Sequence, residues 1–266
     1  MAKDQVSEER SAQDDALGGG TGHESGREPG SGAGSEGGLP ASLAEARVDP
    51  AVFELRPDYR ALLVVVEGIR PAQSDADSEA LLRRAEASVE ELSKPIDEVP
   101  HVASWRAAYR GFGAKPQRTR NSLEALMRRA EKGLPRVNRL TDVYNAISVL
   151  HRIPLGGEDL DGYVGAPHLI RASGEEDFDT TASGQEVVEH PEVGEVVWCD
   201  DEGVTCRRWN WRQGRRTALH DGTTRALFIL DGLEPVTDEE LHAAADELVA
   251  QLSTGGEITS ARRMLR

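Results

Sequence analysis

The sequence predicts an α+β protein with a single domain of mixed sheet and packed helices. Apolar runs of strand length lie near residues 60 and 225, and amphipathic helical segments lie between and after them. These elements do not alternate regularly, so the repeated βαβ units of a parallel sheet are not expected. We place the domain at residues 46–256, between an N-terminal tail (1–45) and a C-terminal tail (257–266).

The N-terminal tail is rich in Gly, Ser, Glu and Asp and contains no aromatic residue. Such a composition buries too little apolar surface to offset the entropy of ordering, so it predicts disorder. The chain begins without the apolar segment of a secretory signal, and no apolar run approaches the ~18 residues of a membrane span. We therefore expect a cytoplasmic protein with no membrane partner.

Apolar and capping patterns predict one strand and four helices in the first half of the domain. The run "YRALLVVVEGI" (59–69) lies between Pro57 and Pro71 and predicts a buried strand. Asn121 can cap a helix with Glu124 three residues later, as in a capping box. Helical periodicity predicts four helices in this half, over 77–94, 102–113, 121–133 and 141–154.

The second half contains three strand patterns and one helix. We expect strands at "GEVVWCD", "GVTCRRWNW" and "TRALFIL", the first two joined by a short turn. Residues 237–256 predict a C-terminal helix, with Thr237 and Glu240 as its capping box.

The charge of the chain is segregated. A net charge of −16 by itself argues against a nucleic-acid partner. Residues 105–140, however, hold ten Lys or Arg against two acids, and residues 207–225 hold six Arg against one acid. Residues 158–202 hold fourteen acids against one Arg. The acidic excess therefore lies outside two basic windows that can meet an anion.

The stretch "CRRWNWRQG" (206–214) combines arginines with tryptophans. As one strand it would present two mixed faces. One face would carry Arg207, Trp209 and Trp211, and the other would carry Arg208, Asn210 and Arg212. Planar guanidinium groups and indoles suit stacking on bases and a bidentate grip on phosphate. Alternatively, the tryptophans pack in a core and the arginines pair with nearby acids.

Arg212 is the best candidate for meeting an anionic atom of a ligand, because it lies at the predicted strand end. In that case Arg212→Ala abolishes binding at little cost in stability. If Arg212 is instead buried against Asp200 or Glu202, its truncation costs roughly 3–5 kcal/mol.

A second anion site is expected just before the helix predicted at 121–133. Arg118 and Arg120 there adjoin a helix N-terminus, which gathers backbone N–H groups and positive dipole. Alternatively, these are ordinary surface arginines. The later cations of this window are expected to form a solvated helix face: Arg128, Arg129 and Lys132.

Catalytic residues are not evident, since the chain has no G-x-S-x-G, H-E-x-x-H or P-loop motif. The candidate for a base is His220, beside Asp221. The acids of "PLGGEDLDG" (154–162) form too small a ligand set for a metal. We expect neither a metal nor a cofactor.

From about Trp105 to Leu233 the chain resembles the B3/B4 domain of the phenylalanyl-tRNA synthetase β subunit, and most closely its free-standing relatives. The most specific similarity runs through "SLEALMRRAEKG" and "LTDVYN". The resemblance implies an α+β domain whose cleft removes a wrongly attached amino acid from the 3′ end of tRNA. Asp142 and Asn145 match a family pattern that shapes the fold.

The resemblance weakens at the hydrolytic residues. Gly156 stands where the synthetase domain has a histidine, and its acidic position falls near Arg215 and Arg216. We therefore expect binding of tRNA or aminoacyl-tRNA, and the resemblance implies deacylation as the associated activity. The expected substrate-binding residues are Arg118, Arg120, Asn145, Arg208, Asn210 and Arg212. The alternatives are a non-catalytic pocket for a small amino-acid-like carboxylate, or an enzyme acting on a small anionic metabolite.

Overall fold

The computed structural model describes residues 40–266, and it confirms the predicted α+β class. Of the disordered tail predicted at 1–45, residues 1–39 lie outside the described residues, whereas Ala41–Ala44 form a short helix whose Leu43 is fully buried, so the predicted boundary was wrong by a few residues. Among residues 40–266 the α-helices are α1 (Ala41–Ala44), α2 (Pro50–Leu55), α3 (Ala76–Glu90), α4 (Pro100–Gly111), α5 (Ser122–Ala130), α6 (Arg139–His151) and α7 (Asp238–Ser253). The strands are β1 (Arg47–Val48), β2 (Arg60–Glu67), β3 (Leu155–Asp159), β4 (His168–Arg171), β5 (Phe178–Ala182), β6 (Gln185–Glu189), β7 (Val196–Cys199), β8 (Val204–Arg207), β9 (Arg212–Gln213), β10 (Arg225–Gly232) and β11 (Thr259–Leu265).

Two sheets and a helical layer build the domain. One sheet has the order β11-β2-β10-β3, and the other has the order β1-β4-β7-β8-β9. Strands β5 and β6 form a separate two-stranded ribbon. Side chains alternate along a strand, so β2 and β10 supply apolar groups to both faces of the four-stranded sheet. This explains why the apolar run of β2 is continuous rather than alternating.

The first core lies between the four-stranded sheet and the helices. Leu62, Val64 and Val66 of β2 pack there with apolar side chains of α3, α5, α6 and α7. The helices begin where their sequences provide caps: Asn121 accepts from Glu124 N at 2.9 Å, and Thr237 and Glu240 complete a capping box. The predicted helices therefore form, with ends shifted by a few residues.

The second core lies between the two sheets. Leu63 and Val65 of β2 face it, and Trp105 and Trp209 meet inside it edge to face at 5.2 Å between ring centroids. Both indoles are fully buried. Trp209 is therefore a core residue, which is the second of the two alternatives that the sequence left open.

The segment expected to be a C-terminal tail (257–266) belongs to the fold. Strand β11 pairs antiparallel with β2 along its whole length, from Thr259↔Glu67 to Leu265↔Ala61. The polar run at 259–263 is an edge strand, whose outer side does not need apolar residues. The expectation of a tail was therefore wrong here.

Candidate functional site

A cleft of about 490 Å³ opens between the sheets and the helices α5 and α6. Its inner wall is aromatic and apolar, with Trp198, Trp209 and Ile229 among the lining residues. Half-exposed cations form its outer wall on the α5 side, including Arg120 and Arg128. The cleft therefore has a buried, mainly apolar floor and a basic rim.

The floor carries two carboxyl groups. Residues at alternating positions of a strand share a face, so Gly156 and Glu158 of β3 point to the same side. Register places Gly156 opposite Ile229 of β10, and Asp231 lies two residues further along β10. All four residues line the cleft. Glu158 and Asp231 are 1% and 2% exposed, so both acids lie well below the rim.

Glu158 is held by a phenol. The Tyr163 hydroxyl donates to Glu158 Oε2, and the backbone of Glu158 is fixed by pairing with Leu227. Burial raises the pKa of Glu158 to about 7, against smaller opposing effects from hydrogen bonds such as that of Tyr163. The group therefore exchanges its proton near neutral pH.

Asp231 belongs to a buried polar network. It accepts from the Tyr59 hydroxyl at 2.6 Å and from Asn210 Nδ2 at 3.1 Å. The Asn210 amide oxygen in turn accepts from the Tyr109 hydroxyl at 2.9 Å. Burial raises the pKa of Asp231 to about 7. The network ties β10 to α4 and fixes the backbone at Asn210.

The stretch "CRRWNWRQG" is not one strand, so the predicted two-face arrangement was wrong. Strand β8 ends at Arg207, and Arg208 and Trp209 take left-handed backbone conformations with φ of 48° and 68°. Such conformations are uncommon for residues other than glycine and need support from their surroundings. Asn210 supports this turn, because its backbone carbonyl accepts a hydrogen bond from Ser122 N at 3.0 Å.

The turn reverses the chain, so that β9 pairs with β8 and Arg212 lies opposite Arg207. Both arginines bond Glu189 Oε2, Arg207 at 2.8 Å and Arg212 at 2.5 Å. Arg207 also bonds both oxygens of Glu195 at 2.9 Å. Arg208 completes what we name the Glu195 cluster: Glu189, Glu195, Arg207, Arg208 and Arg212.

Arg212 is therefore buried and paired, at 8% exposure, but with Glu189 rather than with the predicted Asp200 or Glu202. Asp200 pairs with Arg216 instead, at 2.7 Å. Burial lowers the pKa of Arg212, and its guanidinium group lies 4.8 Å from the centroid of the Trp211 ring. Its Nε, also buried, lacks a hydrogen-bond partner among the described residues.

A second arginine cluster lies around α5. Glu124, fully buried, bonds Arg106 at 2.7 Å and Arg128 at 3.0 Å, and lies 3.7 Å from Arg120. We name this the Glu124 cluster: Glu124, Arg106, Arg120 and Arg128. One carboxylate thus orders three guanidinium groups, two of which line the cleft. Glu124 does not act as the second half of a capping box, because its side chain serves these arginines.

The predicted binding residues are only partly brought together. Four of the six line the cleft: Arg120, Asn145, Asn210 and Arg212. Arg208 lies just behind the wall, bonded to Thr119 Oγ1 at 2.5 Å and 4.4 Å from the centroid of Trp211. Arg118 lies on the exposed surface before α5, outside the wall of the cleft.

At the anion site predicted before α5, backbone N–H groups already form hydrogen bonds within the protein. Ser122 N and Glu124 N are bonded to Asn210 O and Asn121 Oδ1. By contrast, the cations expected to form a plain solvated face line the cleft: Arg128, Arg129 and Lys132. Helical periodicity alone does not reveal that this face lies over a cleft.

The polar residues of α6 divide into two roles. Asp142 accepts from Ser74 Oγ at 2.5 Å and from Val137 N at 2.9 Å, so it shapes the fold as expected. Asn145 instead lines the cleft, 2% exposed, and its Nδ2 has no hydrogen-bond partner among the described residues. It is a buried donor in the wall of the cleft, and such a group favours an acceptor from a ligand.

Other candidates lie elsewhere. His220 is largely exposed and lies 3.0 Å from Asp159, and it is not part of the cleft wall. Within residues 40–266 no group of three or more His, Cys, Asp or Glu side chains is arranged to hold a metal ion. Sequence reasoning missed Asp231, whose only signal is an acid at the end of an apolar strand. It also took Glu158 for part of a turn.

A family model for the B3/4 domain matches residues 104–254, which include the cleft. The chain belongs to the B3/4 domain family. This confirms the resemblance that the sequence showed. A search of the curated proteins found no match.

Among solved structures, the B3/4 domain described here is similar to an N-terminal fragment of the phenylalanyl-tRNA synthetase β subunit from Pyrococcus horikoshii. The two share 13% identity with a TM-score of 0.42, over 85% of this chain and 56% of that chain. This chain therefore spans about half of the fragment. None of the helices within residues 40–266 has the length and apolar character needed to cross a membrane.

Proposed function

We propose that the cleft binds the aminoacylated 3′ end of a tRNA and that the domain hydrolyses the aminoacyl ester. The observation that carries this proposal is the order of charged groups with depth in the cleft. The carboxyl groups lie in the floor and the arginines lie at the rim. An aminoacyl-tRNA end has the complementary order. It ends in an aminoacyl group with a cationic amine, and its phosphates follow behind.

The rim suits the phosphates. In the Glu124 cluster three arginines share the buried Glu124, and Arg128 also pairs with the exposed Asp97 at 3.4 Å, which leaves one positive charge in excess. The side chains of Arg120 and Arg128 are 34% and 37% exposed, so they can reach a ligand while Glu124 holds them in place. Lys132 adds a further cation to the same wall. Contacts of this kind bind a phosphate backbone without reading its sequence.

The floor suits an aminoacyl ester better than a free amino acid. A free amino acid carries a carboxylate, which the acids Glu158 and Asp231 would repel. The deepest guanidinium group, Arg212, is already paired with Glu189. In the ester that carboxylate charge is absent, whereas the ammonium group remains. The charges of the floor therefore disfavour a small carboxylate ligand.

The volume also suits an aminoacyl group. Pockets of about 300–1,000 Å³ with mostly apolar walls hold small organic groups, and this cleft falls within that range. Trp198, Trp209 and Ile229 offer apolar surface to a side chain, and Asn145 Nδ2 offers a donor to a carbonyl oxygen. Donors directed at a developing oxyanion accelerate ester hydrolysis.

The experiment is a binding and deacylation panel with the purified protein. Binding is measured by fluorescence anisotropy with tRNAs that carry an amide-linked, non-hydrolysable aminoacyl group. Deacylation is measured with the corresponding esters over a panel of cognate and mismatched amino acids. We expect binding that weakens steeply with salt, because each neutralised phosphate releases counterion.

Free amino acids serve as the competing probe. Tight, salt-insensitive binding of a free amino acid, with no binding of any tRNA at low salt, would refute the proposal in favour of the small-ligand pocket. Binding of tRNA without turnover of any ester would leave a binding domain and remove the hydrolytic part.

A further inference from the structure

An open space lies beside Gly156, in the part of the cleft lining that also includes Glu158. Gly156 lies two residues before Glu158 on the same face of β3, and a Cβ built at Gly156 has only Gln213 Nε2 within 4 Å, at 3.8 Å. Gly157, on the other face, has no such space, because a Cβ there would lie 2.7 Å from Leu219 and 2.9 Å from Phe228. The opening is thus specific to the cleft side of the strand.

The Glu158 carboxyl group is buried in the lining of the cleft and held in position. It is fixed by the Tyr163 hydroxyl at Oε2, on an edge strand whose backbone is paired with β10. Such a fixed acid beside an unfilled space provides a place for a water molecule next to a bound ester. Asp231 differs, because both of its oxygens are engaged in the network with Tyr59 and Asn210.

We propose that Glu158 is the general base of ester hydrolysis in this cleft, acting on a water molecule held in the space beside Gly156. This inference rests on the proposed function. Glu158 takes one proton from the water as its oxygen forms a bond to the ester carbonyl carbon. The bond from that carbon to the ribose oxygen then breaks, and Glu158 returns the proton to the ribose oxygen. The products are the free amino acid and the tRNA, with no other reactant consumed.

The charges around Glu158 keep it available as a base near neutral pH. The groups that face it are the Tyr163 phenol, the Cys206 thiol of β8, Asp231 of β10 and Asp200 after β7. The charge of Asp200 is offset by Arg216 at 2.7 Å. Burial of Glu158 is the main cause of its raised pKa, near 7. A base with such a pKa is half ionised at neutral pH and accepts a proton readily.

The test compares Glu158→Gln with the native protein in single-turnover deacylation and in binding of the amide-linked tRNA. Glutamine keeps the shape but cannot take a proton. We expect the deacylation rate to fall at least about 100-fold, in line with the loss of a general base. Affinity for the amide-linked tRNA stays within about twofold. The native rate, corrected for spontaneous hydrolysis, rises with pH to a plateau above about 7, and the variant lacks this inflection.

A second variant, Gly156→Ala, keeps the carboxyl group and fills the space. The site tolerates the Cβ, so the fold is retained and the rate falls at least about tenfold as the water is excluded. Asp161→Asn is the matched control. Asp161 is close to Glu158 in sequence, but it forms a largely exposed ion pair with Arg225, so its replacement leaves the rate unchanged.

The outcomes separate the two proposals. If no tRNA binds to the native protein, the proposed function fails. If tRNA binds and the ester is hydrolysed, but Glu158→Gln and Gly156→Ala keep the native rate and pH profile, the role of Glu158 is overturned while the function stands. If Glu158→Gln does not fold, the Gly156→Ala rate decides. Binding without any hydrolysis also overturns the role of Glu158.

Discussion

The two arginine clusters that flank the cleft contain the same number of guanidinium groups but differ in how deeply these groups are buried. In the Glu195 cluster two carboxylates serve three arginines, and Arg207 and Arg212 are 6% and 8% exposed. In the Glu124 cluster the three arginines share the buried Glu124, Arg128 has a second, exposed partner in Asp97 at 3.4 Å, and Arg120 and Arg128 are about one-third exposed. The formal charge balance of the two sets of arginines is therefore the same, but the first is buried whereas the second exposes its guanidinium groups to solvent.

The difference shows that the density of arginines along a sequence does not identify a binding surface. In "CRRWNWRQG" the arginines are concentrated, but much of their charge is compensated by acids from β6 and from the turn before β7. The arginines around α5 are more scattered, yet Arg120 and Arg128 remain about one-third exposed at the cleft. What remains available to a ligand is the uncompensated, exposed charge.

The largest effect is expected from removing the buried acid of the Glu195 cluster. Glu195→Ala leaves Arg207 buried without its bidentate partner and removes the acceptor of Arg208 N at 3.1 Å. We expect a loss of about 3–5 kcal/mol in the free energy of unfolding, measured by urea denaturation. A loss below about 1 kcal/mol would show that the cluster does not support the fold.

A smaller loss of stability is expected for Arg212→Ala, about 2 kcal/mol, because a charged hydrogen bond to Glu189 is lost while Arg207 still holds that carboxylate. Arg128→Ala, its counterpart in the other cluster, costs within about 0.5 kcal/mol. Paired urea denaturation curves measure both. If Arg212→Ala keeps full stability but abolishes tRNA binding, Arg212 is the ligand-binding group that the sequence indicated.

The acids of the floor, unlike those of the clusters, respond to pH near neutrality. Burial raises the folded-state pKa of Glu158 and Asp231 to about 7, above their unfolded values. The stability from their protonated forms is therefore present below pH 4 and is lost as pH rises through 7. We expect a loss of about 1.4 kcal/mol for each group between pH 6 and 8.5. Urea denaturation at several pH values measures this loss, and Asp231→Asn reduces it if Asp231 contributes.

His101 acts in the opposite direction. Burial lowers its pKa to about 4, and its neutral ring bonds Arg152 O and Leu233 N. Stability is therefore lost as pH falls from about 6.5 towards 4, because the unfolded state takes up the proton more readily. Denaturation of His101→Gln over this range tests the assignment. An unchanged slope would show that another group causes the acid loss.

The smallest effect on stability and the clearest effect on binding are expected at the rim. The double variant Arg128→Ala/Lys132→Ala removes two rim charges, and we expect about tenfold weaker binding of tRNA at 0.1 M salt with a shallower salt dependence. The control Arg83→Ala/Arg262→Ala makes the same change in net charge outside the cleft. Equal weakening by both pairs would show that only the net charge matters.

The sequence determined most of the local structure because the signals for it are local. The apolar run of β2, the caps at Asn121 and Thr237 and the turn between β7 and β8 each depend on neighbouring residues. It also determined the family, since the specific run through "SLEALMRRAEKG" and "LTDVYN" lies within the matched residues 104–254. Strand β11 was missed because a polar edge strand lacks an apolar signal.

Only the tertiary structure decided the site. Whether an arginine is free or neutralised depends on acids distant in sequence, such as Glu189 for Arg212 and Glu124 for Arg106. Glu158 enters the floor because β3 pairs with β10, some seventy residues later. The left-handed turn at Arg208 depends on a network that includes Asn210 and Asp231. Charge compensation and burial are properties of contacts between distant segments, so no local pattern of residues encodes them.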